Sequence, residues 1–200
     1  MPLVVSQVSD LTSRVGDHLG WSEWHAVTQA EVDHFAAATG NTAPIHTDPT
    51  FASATPYGGT IAYGIQVLAM ATMLLGDIWD LRATNGIDVG ANRVRHLAPV
   101  RTGSAVRLGA TLVAAEEVPP AEDGSAGVER PGRSTPEETA LAPSTSGAGV
   151  ERPRRSTPEE TVLAPSTSGA GVRTTLGLTF EVEGSERPAC VAEIVFVYWF

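Results

Sequence analysis

The sequence predicts an α+β domain in which an antiparallel sheet wraps around one buried helix. Three observations carry this. Residues 61–81, IAYGIQVLAMATMLLGDIWDL, form the longest apolar segment, too continuous for a surface helix with one wet face. Four strand-like segments follow, at about 87–96, 105–116, 172–183 and 189–199. A capped helix with a clear start and stop precedes both.

Residues 21–27 alternate as a short strand. Thr28 and Glu31 form a T-x-x-E capping box. Val32, Phe35 and Ala36 share one face of the helix that follows, and Gly40 supplies its stop. A polar turn leads to His46. Asp48-Pro49 then opens a second short helix through Ala54, with Asp48 read as its cap. The turn TPYGGT, residues 55–60, enters the apolar segment, whose small-residue start leaves backbone N–H groups open to a ligand. Val106, Leu108, Ala110 and Leu112 alternate with Arg107, Gly109, Thr111 and Val113, and Leu176, Leu178, Phe180 and Val182 alternate with Thr175, Gly177, Thr179 and Glu181. Both patterns are those of half-buried strands. The last segment, ACVAEIVFVYW, is apolar on both faces, as in a central strand.

Residues 127–148 and 149–170 are tandem copies of 22 residues that differ only at Gly132 against Arg154 and Ala140 against Val162. Two copies rich in Pro, Ser, Thr, Gly and Glu have no apolar face to stack, so they do not make a solenoid. Residues 119–171 are expected to be a disordered low-complexity insertion at a hairpin tip, where loop closure grows costly only slowly with length. Ser134, Thr135, Ser156 and Thr157 lie at or near Pro there, but a duplicated linker without a role is the simpler reading. Residues 1–200 are otherwise read as a single domain.

The bulk numbers set bounds. The net charge of −10 disfavours binding to nucleic acid through phosphate neutralisation. Hydrophobic content of 42% and charged content of 18% suit a globular protein, and no apolar run approaches the ~20 residues that span a bilayer. No signal peptide is read at the N-terminus, and a single cysteine, Cys190, makes a cytoplasmic location the default. All 13 basic residues are arginine, which removes any Schiff-base lysine. No His/Cys/Asp group has metal-ligand spacing, so no metal is expected.

Five blocks resemble the MaoC-like (R)-specific enoyl-CoA hydratase/dehydratase family. They are Gly40-Asn41-Thr42-Ala43-Pro44-Ile45-His46 followed by Ala52; residues 58–64, GGTIAYG; Asn92-Arg93-Val94-Arg95 with Ala98-Pro99-Val100 and Gly103; residues 181–184, EVEG; and residues 188–193, PACVAE. They occur in the family's order and span nearly the whole chain outside the insertion. The resemblance implies a hot-dog fold, a curved antiparallel sheet around a long central helix. It implies hydration of trans-2-enoyl thioesters of coenzyme A or acyl carrier protein in fatty acid metabolism, without cofactor, membrane or nucleic acid, by a homodimer. The departures are Asn41 for an acid, Ala43 for an amide, Tyr63 for His and His96 for an aromatic.

By residue-wise transfer, His46 matches the family's catalytic histidine and Asn41 stands where its acid is expected. Gly64 lies where the family's oxyanion donor lies, with Tyr63 and Pro44 beside the substrate. An amide holds water but takes no proton from it; Asn41 after a helix-ending Gly also reads as a plain turn residue. If the chemistry survives, His46 acts as base and acid both, with Asp48 the less favoured substitute. Gly64 also reads as a close-packing site, His96 as a residue bordering the pocket, and His18, His25 and His34 as solvent-facing. Arg93, Arg95, Arg101 and Arg107 are candidates for coenzyme A phosphates, though solvated strand arginines are common. Two further readings stay open: a non-catalytic acyl-thioester-binding or partner subunit, and an acyl-CoA thioesterase on the same fold.

Overall fold

The structure is a computed structural model that describes residues 1–119 and 169–200. The expected insertion falls almost wholly outside the described residues. The elements run β1 (Leu3–Val5), α1 (Ser9–Thr12), β2 (His18–Trp21), β3 (His25–Ala26), α2 (Gln29–Thr39), α3 (Pro44–Thr47), α4 (Pro49–Ser53), α5 (Gly64–Ala69), α6 (Ala71–Ile78), β4 (Trp79–Leu81), β5 (Asn85–His96), β6 (Ala105–Val118), β7 (Gly171–Val182) and β8 (Cys190–Trp199). The main sheet is antiparallel in the order β2-β6-β7-β8-β5, with β3 also on β6.

The two alternating segments meet as the pattern requires. Val106, Leu108, Ala110 and Leu112 face Val182, Phe180, Leu178 and Leu176 across β6 and β7. All four β6 residues, with Leu176 and Phe180, are fully buried. Burying such a side chain is worth ~1.5–3 kcal/mol, and the inward sides of β6, β7 and β8 form one continuous apolar floor. The ladder continues to Val118 opposite Gly171, so both ends of the expected insertion emerge from adjacent strands. β8 lies between β7 and β5, the interior position its composition predicts.

α5 packs against β8, and α6 against β6 and β2. The expected single helix over 61–81 is divided differently. Residues 61–63 stay extended enough for Ile61 to bridge Arg101, Met70 separates α5 from α6, and Trp79–Leu81 turns into β4, paired in parallel with β1. Nor is the helical stretch buried all round within one chain: Ile65 and Met73 are more than half exposed. The short strand at 21–27 is likewise split into β2 and β3: Ser22 N–H still donates to Leu108 O at 2.8 Å, but its hydroxyl, not its carbonyl, accepts from Leu108 N–H at 2.9 Å.

α2 begins and ends as its sequence dictates. Thr28 and Glu31 make the reciprocal capping box, and Gly40 closes the helix in the left-handed region at φ 71°, which a glycine adopts without strain. His25 departs from the expected solvent-facing position: it is half-buried and bonded to Glu31 at 2.8 Å. α3 was not expected; Pro44 at its first turn, with its fixed φ, starts it. Asp48 caps α4 by accepting from Thr50 and Phe51 N–H at 2.9 and 3.0 Å.

Candidate active site

The site is built where α3 meets the start of α5. His46 sits on α3, half-buried, and its Nδ1 lies 2.7 Å from the carbonyl oxygen of Ile61. A carbonyl only accepts, so Nδ1 carries the proton and Nε2 is the nitrogen left for chemistry. The imidazole stacks on the Tyr63 ring with centroids 3.8 Å apart. Tyr63 also packs against Phe35 of α2 and donates its hydroxyl to the backbone carbonyl of Asn41. Burial, aided by the charge of Asp33, pushes the Tyr63 phenol up, so it stays a neutral donor.

Asn41 is exposed, and its side-chain oxygen accepts from Ala43 N–H at 3.2 Å, an Asx turn that shapes the approach to α3. Pro44 is exposed at the start of α3. Gly64 is the first residue of α5, so its N–H has no partner within the helix. A Cβ there would stand 2.8 to 2.9 Å from three ring atoms of His96, so the ring occupies space that only glycine leaves.

A pocket of about 310 Å³ joins these parts. His46, Ile61, Gly64 and Val67 form one wall, and His96, Pro99 and Cys190 another. Burial pushes the Cys190 thiol up, which keeps it protonated. The structure thus brings His46, Gly64 and His96 to one cavity with Tyr63 behind His46. The side chain of Asn41 bonds within its own loop, and Asp48 is spent on its cap.

Nothing in the sequence pattern points to Gln29. Its Nε2 donates to the backbone oxygen of His46 at 2.8 Å, and its Oε1 accepts from the buried Thr60 hydroxyl at 2.5 Å. It therefore ties α3 to the segment whose Ile61 carbonyl holds the imidazole. A glutamine at the first position of a helix carries no periodicity or motif that announces bonds to residues 17 and 31 positions away.

The arginines divide. Arg107 bonds Glu181 at 2.7 Å and lies over the rings of Trp21 and Trp24 at 4.4 and 4.7 Å. Arg101 donates to Gly58 O at 2.8 Å, and Arg93 to Glu193 at 2.7 Å. Arg95 makes only a bond to the adjacent Val94 carbonyl among the described residues. Within those residues no three His, Cys, Asp or Glu side chains gather as a metal site, and no helix is long and apolar enough to cross a membrane.

Sheet order, helix placement and pocket together define a hot-dog fold. The chain is similar over 91% of its length to the (R)-hydratase from A. caviae involved in PHA biosynthesis, of which it covers 94%, with a TM-score of 0.55 and 19% identity. It is similar over its full length to the monoamine oxidase regulatory protein from Archaeoglobus, covering 97% of that chain, with a TM-score of 0.59 and 17% identity. Residues 10–130 match the family model described as MaoC like domain. The chain is also 34% identical over 192 residues to 3-hydroxyacyl-thioester dehydratase Z of Mycobacterium tuberculosis, covering 96% of this chain and 95% of that protein. The chain belongs to the MaoC-like dehydratase family.

Proposed function

We propose that this protein interconverts trans-2-enoyl and (R)-3-hydroxyacyl thioesters of coenzyme A or acyl carrier protein by adding or removing water. The observation that carries the reading is the His46 imidazole. Nδ1 is bound to Ile61 O, and Nε2 is left as the basic nitrogen on a pocket that also holds Gly64 at the start of α5. In hydration, Nε2 takes a proton from water as the oxygen bonds C3. The π pair shifts towards the thioester carbonyl, where the Gly64 N–H stabilises the developing oxyanion. Tyr63 holds the imidazole face, and Pro44 sets the start of the helix that carries it. Asn41 lacks a transferable proton, so the proton for C2 comes from another group on the pocket wall.

Similarity to a 3-hydroxyacyl-thioester dehydratase supports the substrate class. The single thiol Cys190, buried and free, fits a cytoplasmic protein. We place a second copy of the chain over the exposed apolar grooves between α5–α6 and β5, lined by Ile65, Ile87 and Ala91. Ile65→Arg then shifts the sedimentation coefficient to that of a monomer.

Loss of enoyl-thioester absorbance with crotonyl-CoA tests the main reading. Wild type turns over, and His46→Ala falls by ~10²–10⁴-fold. Equal activity of wild type and His46→Ala refutes the site. The second reading, a non-catalytic thioester-binding or partner subunit, is favoured by the engagement of the Asn41 side chain in its own turn. It stands if wild type is inactive and Asn41→Asp gains activity.

A further inference from the structure

We propose that His96 is a second catalytic residue, the group that delivers the proton to C2 of the thioester, and that a β-bulge at Arg93 exists to aim it into the pocket.

The register of β5 carries the argument. On β8, Cys190, Ala192, Ile194 and Phe196 point into the core, while Glu193 and Val191 lie on the outward side. Asn92 pairs with Glu193, which sets Asn92 outward. In an unbroken strand His96, four residues on, would share that face. Instead Arg95 pairs with Val191 and His96 with Cys190, so β5 has spent one extra residue between Asn92 and Arg95. That residue reverses the phase and puts His96, which stays exposed, on the pocket-lining side of β5, which is what a bulge beside an active site does.

The bulge has a cost and a clamp. Arg93 adopts φ 52°, the one positive value at a non-glycine among the described residues. Such a backbone persists where its surroundings hold it. Here the Arg93 guanidinium bonds Glu193 across the strand at 2.7 Å.

The ring that arrives is placed for use. It rests on the Gly64 backbone, against the proposed oxyanion donor, and lines the same cavity as His46. Neither ring nitrogen has a hydrogen-bond partner among the described residues, whereas Nδ1 of His46 is committed to Ile61. The other titratable side chains on the wall are Tyr57 and Cys190, and the thiol is held protonated by burial. Arg95, next to His96, lies on the outward face with Val191.

The step balances without any co-reactant. Water gives one proton to His46 Nε2 as its oxygen bonds C3. The C2=C3 pair moves onto the carbonyl as an enolate, and the His96 imidazolium gives a proton to C2. His46 then releases its proton to solvent and His96 regains one. Dehydration runs the same transfers backwards.

This inference rests on the hydratase reading, and one series of variants separates the two. kcat and KM for crotonyl-CoA are measured against pH for wild type, His46→Ala, His96→Phe and Arg93→Gly. Phenylalanine keeps a ring over Gly64 and loses only the nitrogens. His96→Phe is expected to lose ~100-fold in kcat with KM little changed, and one limb of the kcat–pH profile with it. Arg93→Gly, which accepts positive φ but loses the bond to Glu193, is expected to lower kcat as the bulge loosens while keeping both limbs. An active wild type whose His96→Phe variant keeps its kcat and both limbs overturns the role of His96 and leaves the hydratase reading standing. An inactive wild type, or activity indifferent to His46→Ala, overturns both.

Discussion

Gly64→Ala measures how tightly the His96 ring is packed on α5. The added methyl would lie 2.8 to 2.9 Å from Cγ, Cδ2 and Nδ1 of that ring, inside the ~3.5–4.0 Å at which carbon atoms attract. Two effects compete. Alanine gains up to ~1 kcal/mol in helix propensity. That gain is smaller here, because Gly64 is the first residue of α5. Overpacking costs ~1–3 kcal/mol when a neighbour has to move. His96 ends β5 and pairs with the fully buried Cys190, so its backbone cannot retreat freely. Overpacking wins, with a net loss of about 1–2 kcal/mol.

A double-mutant cycle isolates the cause. Urea unfolding is measured for wild type, Gly64→Ala, His96→Ala and the double variant. With the ring removed, the methyl has room and only the propensity gain remains, so Gly64→Ala becomes neutral or stabilising. The coupling should fall near 1–3 kcal/mol. A Gly64→Ala cost that is the same in both backgrounds, or a stabilised single variant, refutes the contact.

Gln29→Ala removes the tie between α3 and residues 60–61; it is expected to cost ~1–3 kcal/mol of stability and to lower kcat more than it raises KM, as steady-state kinetics and urea titration will show. Asp48→Ala removes the two hydrogen bonds that cap α4 and should cost ~1 kcal/mol in the same titration. Burial pushes the Glu31 carboxyl up, but bonds from the Thr28 N–H and hydroxyl and from His25 outweigh it, so the folded value lies below the unfolded one. Its contribution is therefore fully present above the unfolded value and is lost as pH falls through the folded one; the Tm advantage of wild type over Glu31→Gln should shrink over that acid window and be constant above it. Replacing residues 121–168 by a short glycine-rich turn should leave Tm unchanged, since β6 and β7 are already paired at Val118 and Gly171.

What the sequence revealed follows from how local the causes are. The β6 and β7 patterns were legible because one buried face forces a period of two, and each strand needs only its own residues to show it. The caps at Thr28 and Asp48 were legible because capping acts within three residues. The end of α6 was not. An apolar run reads alike as helix or short buried strand, and Trp79–Leu81 leaves the helix because distant Leu3–Val5 offers it a partner. The place of His96 on the pocket side of β5 was equally hidden, since it depends on a register shift against β8. The half-buried position of His25 depends on Glu31 having oxygens left over from its cap.

Asn41 can now be separated into what it builds and what it lacks. Its backbone carbonyl receives the Tyr63 hydroxyl, which holds the ring against which His46 stacks. Its side-chain oxygen fixes the turn into α3 by accepting from Ala43. An aspartate has the same shape and the same accepting oxygen, so it would make both contacts, and the turn would survive Asn41→Asp. The substitution therefore changes charge and proton capacity with the architecture held. A gain in turnover in that variant reports chemistry restored to a standing site. No gain means that an acid in this turn stays with Ala43, away from the cavity, and that proton transfer belongs to the histidines that line it.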